Sequence, residues 1–363
     1  MLSQDAVEVE YTVVNMGLFC HQRLFAVLGN LLLALAWLGS TMLWSRLEMP
    51  PSTIDLTPFI SAAPRIFRGV VVDISAMQVQ GLPSAAIARL KVQRWYRGYS
   101  GPETLVRYRT ESAIPGHDCI DFEPGGYWLV FATERGGYLE LVDDCYGAVT
   151  VSPSVAPVLQ RRGVVSQIEA DLVAGLTDSD PEARLMSLQR LGGLKSASSR
   201  PALHKVIEHG DATEQHWATY AALRTGDTTV LSRVREMFMR GDTDVPMGHL
   251  AWELGQLTDR SAIPELIKIT DSAPDSEARK YALAALGENL RASEALPAIA
   301  SRLTDPVPGV RLYALHAMQA ITHEPACTLP MEPHWTDDLI EPQIRQCLKW
   351  WNQTGSPRSP PKQ

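Results

Sequence analysis

A nine-residue phrase recurs in this chain. Leu176-Thr177-Asp178-Ser179-Asp180-Pro181-Glu182-Ala183-Arg184 returns as Leu303-Thr304-Asp305-Pro306-Val307-Pro308-Gly309-Val310-Arg311, 127 residues further on. Four units of about 32 residues fill that interval, and Glu277-Ala278-Arg279 falls at the third. Gly192, Gly226, Gly255 and Gly287 keep the same beat, with spacings of 34, 29 and 32 residues, and Pro201, Pro264 and Pro297 mark where second helices begin. Apolar residues between these marks follow the 3.6-residue period of an amphipathic helix. Each unit therefore reads as a helix pair that cannot bury its apolar face alone, and stacking the pairs makes one core. This predicts an α-solenoid over 166–352, with Asp180 and Asp275 as N-caps, Pro181 and Pro308 in first turns, and the glycines at helix ends.

The phrase Glu-Ala-Arg-x-x-Ser/Ala-Leu-x-x-Leu-Gly resembles HEAT repeats, in particular the short HEAT-like kind named after phycobilisome lyases. The units around His216–Gly226 and Met247–Gly255 lack the arginine, and Gln319 stands in place of the last glycine. Arg184, Arg279 and Arg311 are expected to form a ladder between repeats with acidic residues at helix starts. Ser187, Ala282 and Ala314, at equivalent positions, are expected where helices approach closely. His204, His209, His216, His249, His316 and His323 do not share i, i+4 spacing on one helix, so no zinc site is read there. The final helix, Ile340–Trp351, is expected to cap the solenoid, with Trp350 and Trp351 over the last repeat or serving as a partner anchor. Residues 353–363 read as a disordered tail.

Ahead of the repeats lies a different signal. Between Arg23 and Arg46 are 22 residues without a formal charge, LFAVLGNLLLALAWLGSTMLWS. As a helix they span roughly 33 Å, one bilayer crossing. The stretch is longer than the apolar core of a signal peptide, which favours an uncleaved anchor at 24–45 behind an N-terminal cytoplasmic segment at 1–23. Of the five cysteines, Cys20 precedes this stretch and four follow it. Four cysteines on one side suit an exported body with two disulfides. Cys119 with Cys145, and Cys327 with Cys347, are the pairings nearest in sequence.

From 55 to 150 the hydrophobic period is two. Ile66–Val72, Ala88–Trp95, Thr104–Tyr108, Tyr127–Phe131 and Tyr138–Val142 read as strands separated by glycine turns, enough to close a small barrel. Residues 151–165, with Ser152-Pro153-Ser154 and Pro157, read as a linker to the repeats. Arg65-Ile66-Phe67-Arg68-Gly69-Val70-Val71, Leu90-Lys91-Val92 with Trp95-Tyr96-Arg97-Gly98, then Cys119, Phe122, Gly125, Tyr127, Leu129-Val130-Phe131 and Cys145 resemble the netrin-like domain related to tissue inhibitors of metalloproteinases. That resemblance implies an OB-type barrel and a Cys119–Cys145 bridge. The N-terminal cysteine by which such inhibitors reach a target's metal has no counterpart here, because 55–64 contains none. Protease inhibition by that route is not implied.

The sequence thus predicts a multidomain α and β chain with a transmembrane helix, an OB-like barrel and a HEAT-like solenoid. Lys plus Arg number 33 against 41 Asp plus Glu, a formal charge of −8, and no basic block exists to track a phosphate backbone. Nucleic acid is excluded as a partner class on that ground. Neither His-Glu-x-x-His, Gly-x-Ser-x-Gly, a phosphate-cradling glycine loop nor Cys-x-x-Cys occurs. His117, Asp118, Asp121, Asp143 and Asp144 lie near cysteines but read as solvated turn residues. The resulting expectation is a membrane-anchored, non-catalytic scaffold without cofactor or metal, binding other proteins of the cell envelope. A lyase-like or chaperone role of the repeats, and protease regulation by the barrel, are the alternatives. Alkylation of the denatured, unreduced native protein, read by intact mass, should label one thiol, Cys20. Five labelled thiols would place the body in a reducing compartment.

Overall fold

The computed structural model describes residues 54–77, 85–110, 120–159, 163–241, 244–328 and 337–354. The expected segments 1–23 and 24–45, with Cys20, lie outside these residues, as do Cys119, His117, Asp118 and residues 355–363. Among the described residues, no helix is long and apolar enough to cross a membrane.

Helix α1 (Thr57–Ala62) leads into β1 (Arg65–Met77), β2 (Ala85–Arg97), β3 (Glu103–Arg109), β4 (Tyr127–Arg135), β5 (Tyr138–Leu141) and β6 (Ala148–Thr150). Antiparallel pairs join β1 to β2, β2 to β3 and β4 to β5, while β3 and β5 run parallel. The first half of β1 also pairs with β4, Arg65 opposite Ala132 through Val70 opposite Tyr127. The ring β1-β2-β3-β5-β4-β1 is therefore closed, a barrel of five strands. Strand β6, too short to show alternation in the sequence, continues past the end of β5 along β4.

Strand β1 serves two neighbours because it bends. Its register against β2 shifts at Arg68/Gly69 and again between Val71 and Asp73, and such bulges coil a strand. A Cβ at Gly69 would stand 2.8 Å from the Lys91 carbonyl, so the bend admits no side chain there.

Strand β4 shows what lies outside the barrel. Its run Tyr127-Trp128-Leu129-Val130-Phe131-Ala132 is apolar on both faces, the mark of a strand covered twice. Trp128, Val130 and Ala132 point into the barrel with Phe67, Leu90 and Phe122. Leu129 and Phe131 point the other way, into a cluster shared with α1 and the helices that follow.

Those helices are α2 (Val164–Gly175), α3 (Pro181–Leu194), α4 (Arg200–His209), α5 (Ala212–Arg224), α6 (Leu231–Arg240), α7 (Met247–Gly255), α8 (Ile263–Ser272), α9 (Ser276–Ala284), α10 (Leu296–Arg302), α11 (Pro308–Thr322) and α12 (Asp337–Thr354). Helices α3, α5, α7, α9 and α11 stack as one layer and α4, α6, α8 and α10 as the other. Asp180 accepts from the Glu182 N–H and Asp275 from the Ala278 N–H, closing the first turns of α3 and α9. Residues 353 and 354, expected in the tail, belong to α12, where the Thr354 hydroxyl donates to the Trp350 carbonyl at 2.9 Å.

The segment after β6 is bonded to both halves. Its Ser152 and Ser154 hydroxyls donate to Asp178 at 2.9 and 2.7 Å. The Arg68 side chain, from β1, donates to the carbonyls of Ser152 and Ser154. Beneath them lies Asp171 of α2, its side chain only 1% exposed. Its carboxylate accepts from Arg94 at 2.5 Å, from the Tyr96 hydroxyl at 2.6 Å and from the Ala156 N–H at 2.9 Å, with Arg68 3.8 Å away. Burial, and then the Asp171 charge, raise the Tyr96 pKa, so the phenol stays a donor. On the other side Arg190 of α3 donates to the Thr150 carbonyl at 3.0 Å, and burial brings its pKa down to about 10. The Leu56 N–H donates to the Gly193 carbonyl at 2.8 Å, fastening the start of the barrel to α3. Barrel and helices therefore share both a core and a buried polar network.

Removing one partner from such a network strands the other charges. Asp171→Asn should cost about 3 to 5 kcal/mol and leave Arg94 and Arg68 buried without their acid. Urea unfolding followed by tryptophan fluorescence and by far-ultraviolet circular dichroism should then separate into non-coincident transitions; coincident, unshifted curves would show that the network does not couple the halves.

Candidate functional site: an arginine rail between repeats

The three arginines singled out by the repeat phrase make the same set of bonds. Arg184 donates to the carbonyls of Asp178 and Ser179 at 3.0 and 3.3 Å and forward to Glu214 at 2.6 Å. Arg279 donates to Ala273 and Pro274 carbonyls at 2.8 and 3.0 Å, and its fork grips both oxygens of Asp305 at 3.0 and 3.1 Å. Arg311 donates to the Asp305 and Pro306 carbonyls at 3.0 and 3.3 Å and pairs with Glu341 at 2.8 Å. Each guanidinium thus closes the loop before its own helix and reaches an acid in the next repeat. Five donors in a fixed plane suit that double task, and a lysine could not reproduce it.

The middle repeats, which lack this arginine, use another. Arg224, near the end of α5, donates to Glu253 of α7 at 3.0 Å, with side-chain exposures of 1% and 7%. Its guanidinium also lies 5.7 Å from the Tyr220 ring centroid, and burial raises the Tyr220 pKa. The Nη1 of Arg224 is buried without a hydrogen-bond partner. Beside the pair is a pocket of about 230 Å³ where the C-terminal ends of α3, α5 and α7 meet, lined by Lys195, Arg224, Gly226, Glu253, Thr258 and Asp259 among others. Lys195, in the left-handed region at φ 52°, ends α3 and pairs with Asp55 at 3.2 Å. The lining sets two cations, Lys195 and Arg224, against Glu253 and Asp259. It is a crevice between repeats, roomy enough for ordered water.

Two of the four glycines, Gly226 and Gly255, stand at helix ends as expected, and two do not. Gly192 lies inside α3, where a Cβ would come 3.2 Å from the Ala221 backbone of α5. Gly255 is the last residue of α7, and a Cβ there would stand 3.1 Å from the Tyr281 ring of α9. Gly287 sits in a π-helical turn, Ala285–Asn289, which extends α9, and its Cβ would overlap Ala317 of α11. At Gly192 and Gly287 the next first-layer helix approaches through its backbone and at Gly255 through a ring; Gly226 alone, at φ 77°, has the left-handed conformation of a helix terminator. Ser187, Ala282 and Ala314 are fully buried in the same layer.

At the far end, α12 lays the stripe Ile340, Ile344, Cys347, Leu348 and Trp351 onto the last repeat. A disulfide joins Cys347 to Cys327, with Cα atoms 4.6 Å apart. Trp350 and Trp351 are half-buried, their rings 6.2 Å apart. Cys145 is disulfide-bonded; its expected partner Cys119 is outside the described residues. Among the described residues no group of three or more His, Cys, Asp or Glu side chains could hold a metal. His204 is 2.7 Å from Asp227 and His216 is 3.5 Å from Asp244, on separate parts of the stack.

Sequence reasoning missed the Arg224–Glu253 pair, although its signal is present. Arg184 to Glu214, Arg224 to Glu253, Arg235 to Glu265 and Arg311 to Glu341 are all separated by 29 or 30 residues, close to one repeat.

The family model for HEAT repeats matches residues 263–332, that is α8 to α11 and the start of the loop beyond. Solved structures similar to the chain include the complex of CpcE and CpcF of phycocyanin lyase from Nostoc sp. PCC7120, at 25% identity over 48% of this chain and 72% of that one, with a TM-score of 0.35. Two engineered proteins are similar at 18% and 17% identity, over 50% and 52% of this chain and 59% and 80% of theirs, with TM-scores of 0.32 and 0.26. No curated protein matches the chain.

The glycine contacts give opposite expectations for one substitution at two sites. Gly287→Ala forces α9 from α11 and should cost about 1 to 3 kcal/mol. At Gly248, in the first turn of α7, a Cβ meets nothing within 4 Å, so Gly248→Ala should be neutral or stabilise by up to about 1 kcal/mol. Thermal melting of both variants checks the pair; equal effects would refute the close-approach account.

Proposed function

We propose that this chain is a membrane-anchored, non-catalytic scaffold that binds other proteins of the cell envelope, with residues 24–45 as its single span and the body on the exported side. The observation that carries this reading is the union of barrel and solenoid through Asp171 and the Leu129–Phe131 cluster. Two surfaces held in fixed relation suit a platform that engages partners at more than one point. The buried charges support the same reading. Asp171, Arg279, Asp305, Arg224 and Glu253 are all engaged in holding elements together, where a catalytic group would need to face substrate. The disulfide supports export, since such bonds persist in oxidising compartments. The barrel's strand order supports the OB type, and a netrin-like assignment stays part of this proposal.

The test uses the full chain in its native membrane. External protease on cells stripped to the inner membrane should remove the body and spare a short N-terminal piece. Crosslinking in the same membranes should give recurrent adducts to one or a few proteins, with crosslinked peptides from both barrel and helices. Protection of the body from external protease would overturn the orientation. A chain that yields no adduct above background with crosslinkers of several lengths would overturn the scaffold reading.

A further inference from the structure

One outer stripe of the solenoid packs between repeats and still keeps aromatic surface open to solvent. Residues three and four apart share a helix face, and on α7, α9 and α11 that face presents Trp252, then Tyr281, Ala284 and, at the π-helical end of α9, Glu288, then Tyr313 and His316. The rings are tiered across the repeats. Trp252 meets Tyr281 edge-on with centroids 5.5 Å apart, and Tyr281 meets Tyr313 in the same way at 6.1 Å. Trp252 is 36% exposed, and both tyrosines are half-buried.

The stripe already holds one cation. The Lys280 ammonium lies 5.5 Å from the Tyr313 ring centroid, and both oxygens of Glu277 accept from it at 2.7 and 2.9 Å. Lys280 and Glu277 therefore cancel. Glu288 is exposed and has no ion-pair partner among the described residues. Burial lowers the His316 pKa, with the Glu288 charge opposing, so this imidazole brings no fixed positive charge to the strip. The sum is an aromatic surface with one uncompensated carboxylate.

We propose that this strip docks an arginine side chain from an exposed segment of a protein partner. A guanidinium stacks flat on an aromatic face while its edge donates to a carboxylate, and the strip offers both. The inference rests on the scaffold reading and names the chemistry of its partner.

The probe is a capped tripeptide, Gly-Arg-Gly, with Gly-Glu-Gly as its control. The full chain carries nine tryptophans; with 5-fluorotryptophan incorporated, the Trp252 resonance is identified by its loss in Trp252→Phe. The arginine peptide should shift that resonance saturably and leave the others in place, and the glutamate peptide should not. Glu288→Gln and Tyr313→Leu should each weaken binding about fivefold or more. Glu288 is exposed, so its variant keeps the fold, as the unmoved resonances will report. A Trp252 signal that stays still, moves equally with both peptides, or responds unchanged in Glu288→Gln would overturn the inference. If envelope adducts persist while the peptide fails, the scaffold reading stands and only this site falls.

Discussion

A stack of helix pairs always has two raw ends. Each pair exposes an apolar face to the next, so the first and last pairs must be covered or the core is open to water. In this chain the two ends are closed by unlike means. At the start, α1 and the outer face of β4 lie over α2 and α3, so that Leu56, Ile60, Leu129 and Phe131 belong to the same cluster as Leu188 and Leu191. At the finish, α12 covers the last repeat and the Cys327–Cys347 bridge holds it. The barrel is thus a cap as well as a domain, which accounts for a strand apolar on both faces.

Between the caps, charge and backbone contact divide the work. Apolar burial supplies the driving force but is indifferent to register. The arginine rail supplies register, because each guanidinium must meet particular carbonyls and one acid. Buried pairs of this kind add little net stability over an apolar replacement, so their value lies in fixing which repeat meets which. The glycines fix how close the helices come. Gly287 brings the backbone of α11 nearer than a side chain would permit, and Gly192 leaves only a tight fit against α5.

Much of this was legible in the sequence, and the unread part has physical causes. The recurrence of Asp-x-x-Pro and Arg exposed the repeats, because capping and loop closure demand the same residue types. The alternation in 66–142 exposed five strands, because a barrel strand buries every second residue. Strand β6 is three residues long, too few for a period to appear. Gly192 and Gly287 read as helix ends but lie within helical turns, because chain termination and close approach select the same residue and only tertiary structure separates the two. The segment around Ser152 reads as a linker from its prolines and serines. Its hydrogen bonds to Arg68 and Asp178 join residues 26 to 84 positions apart, and no local pattern carries that information. Tyr281 and Tyr313 stand at one position of the phrase, two residues after Arg279 and Arg311, but Trp252 stands at another, so the stripe is only half visible in the repeat.

Closure at both ends changes where such a molecule gives way. An uncapped solenoid frays from its termini, losing one repeat at a time. Here the first helices are bonded to a barrel and the last is covalently tied, which leaves the drifted middle as the weakest link. That is where Arg224 keeps a buried nitrogen without a partner and three helix ends leave a crevice. Opening is therefore expected at the centre, about α5–α7, before it reaches either end.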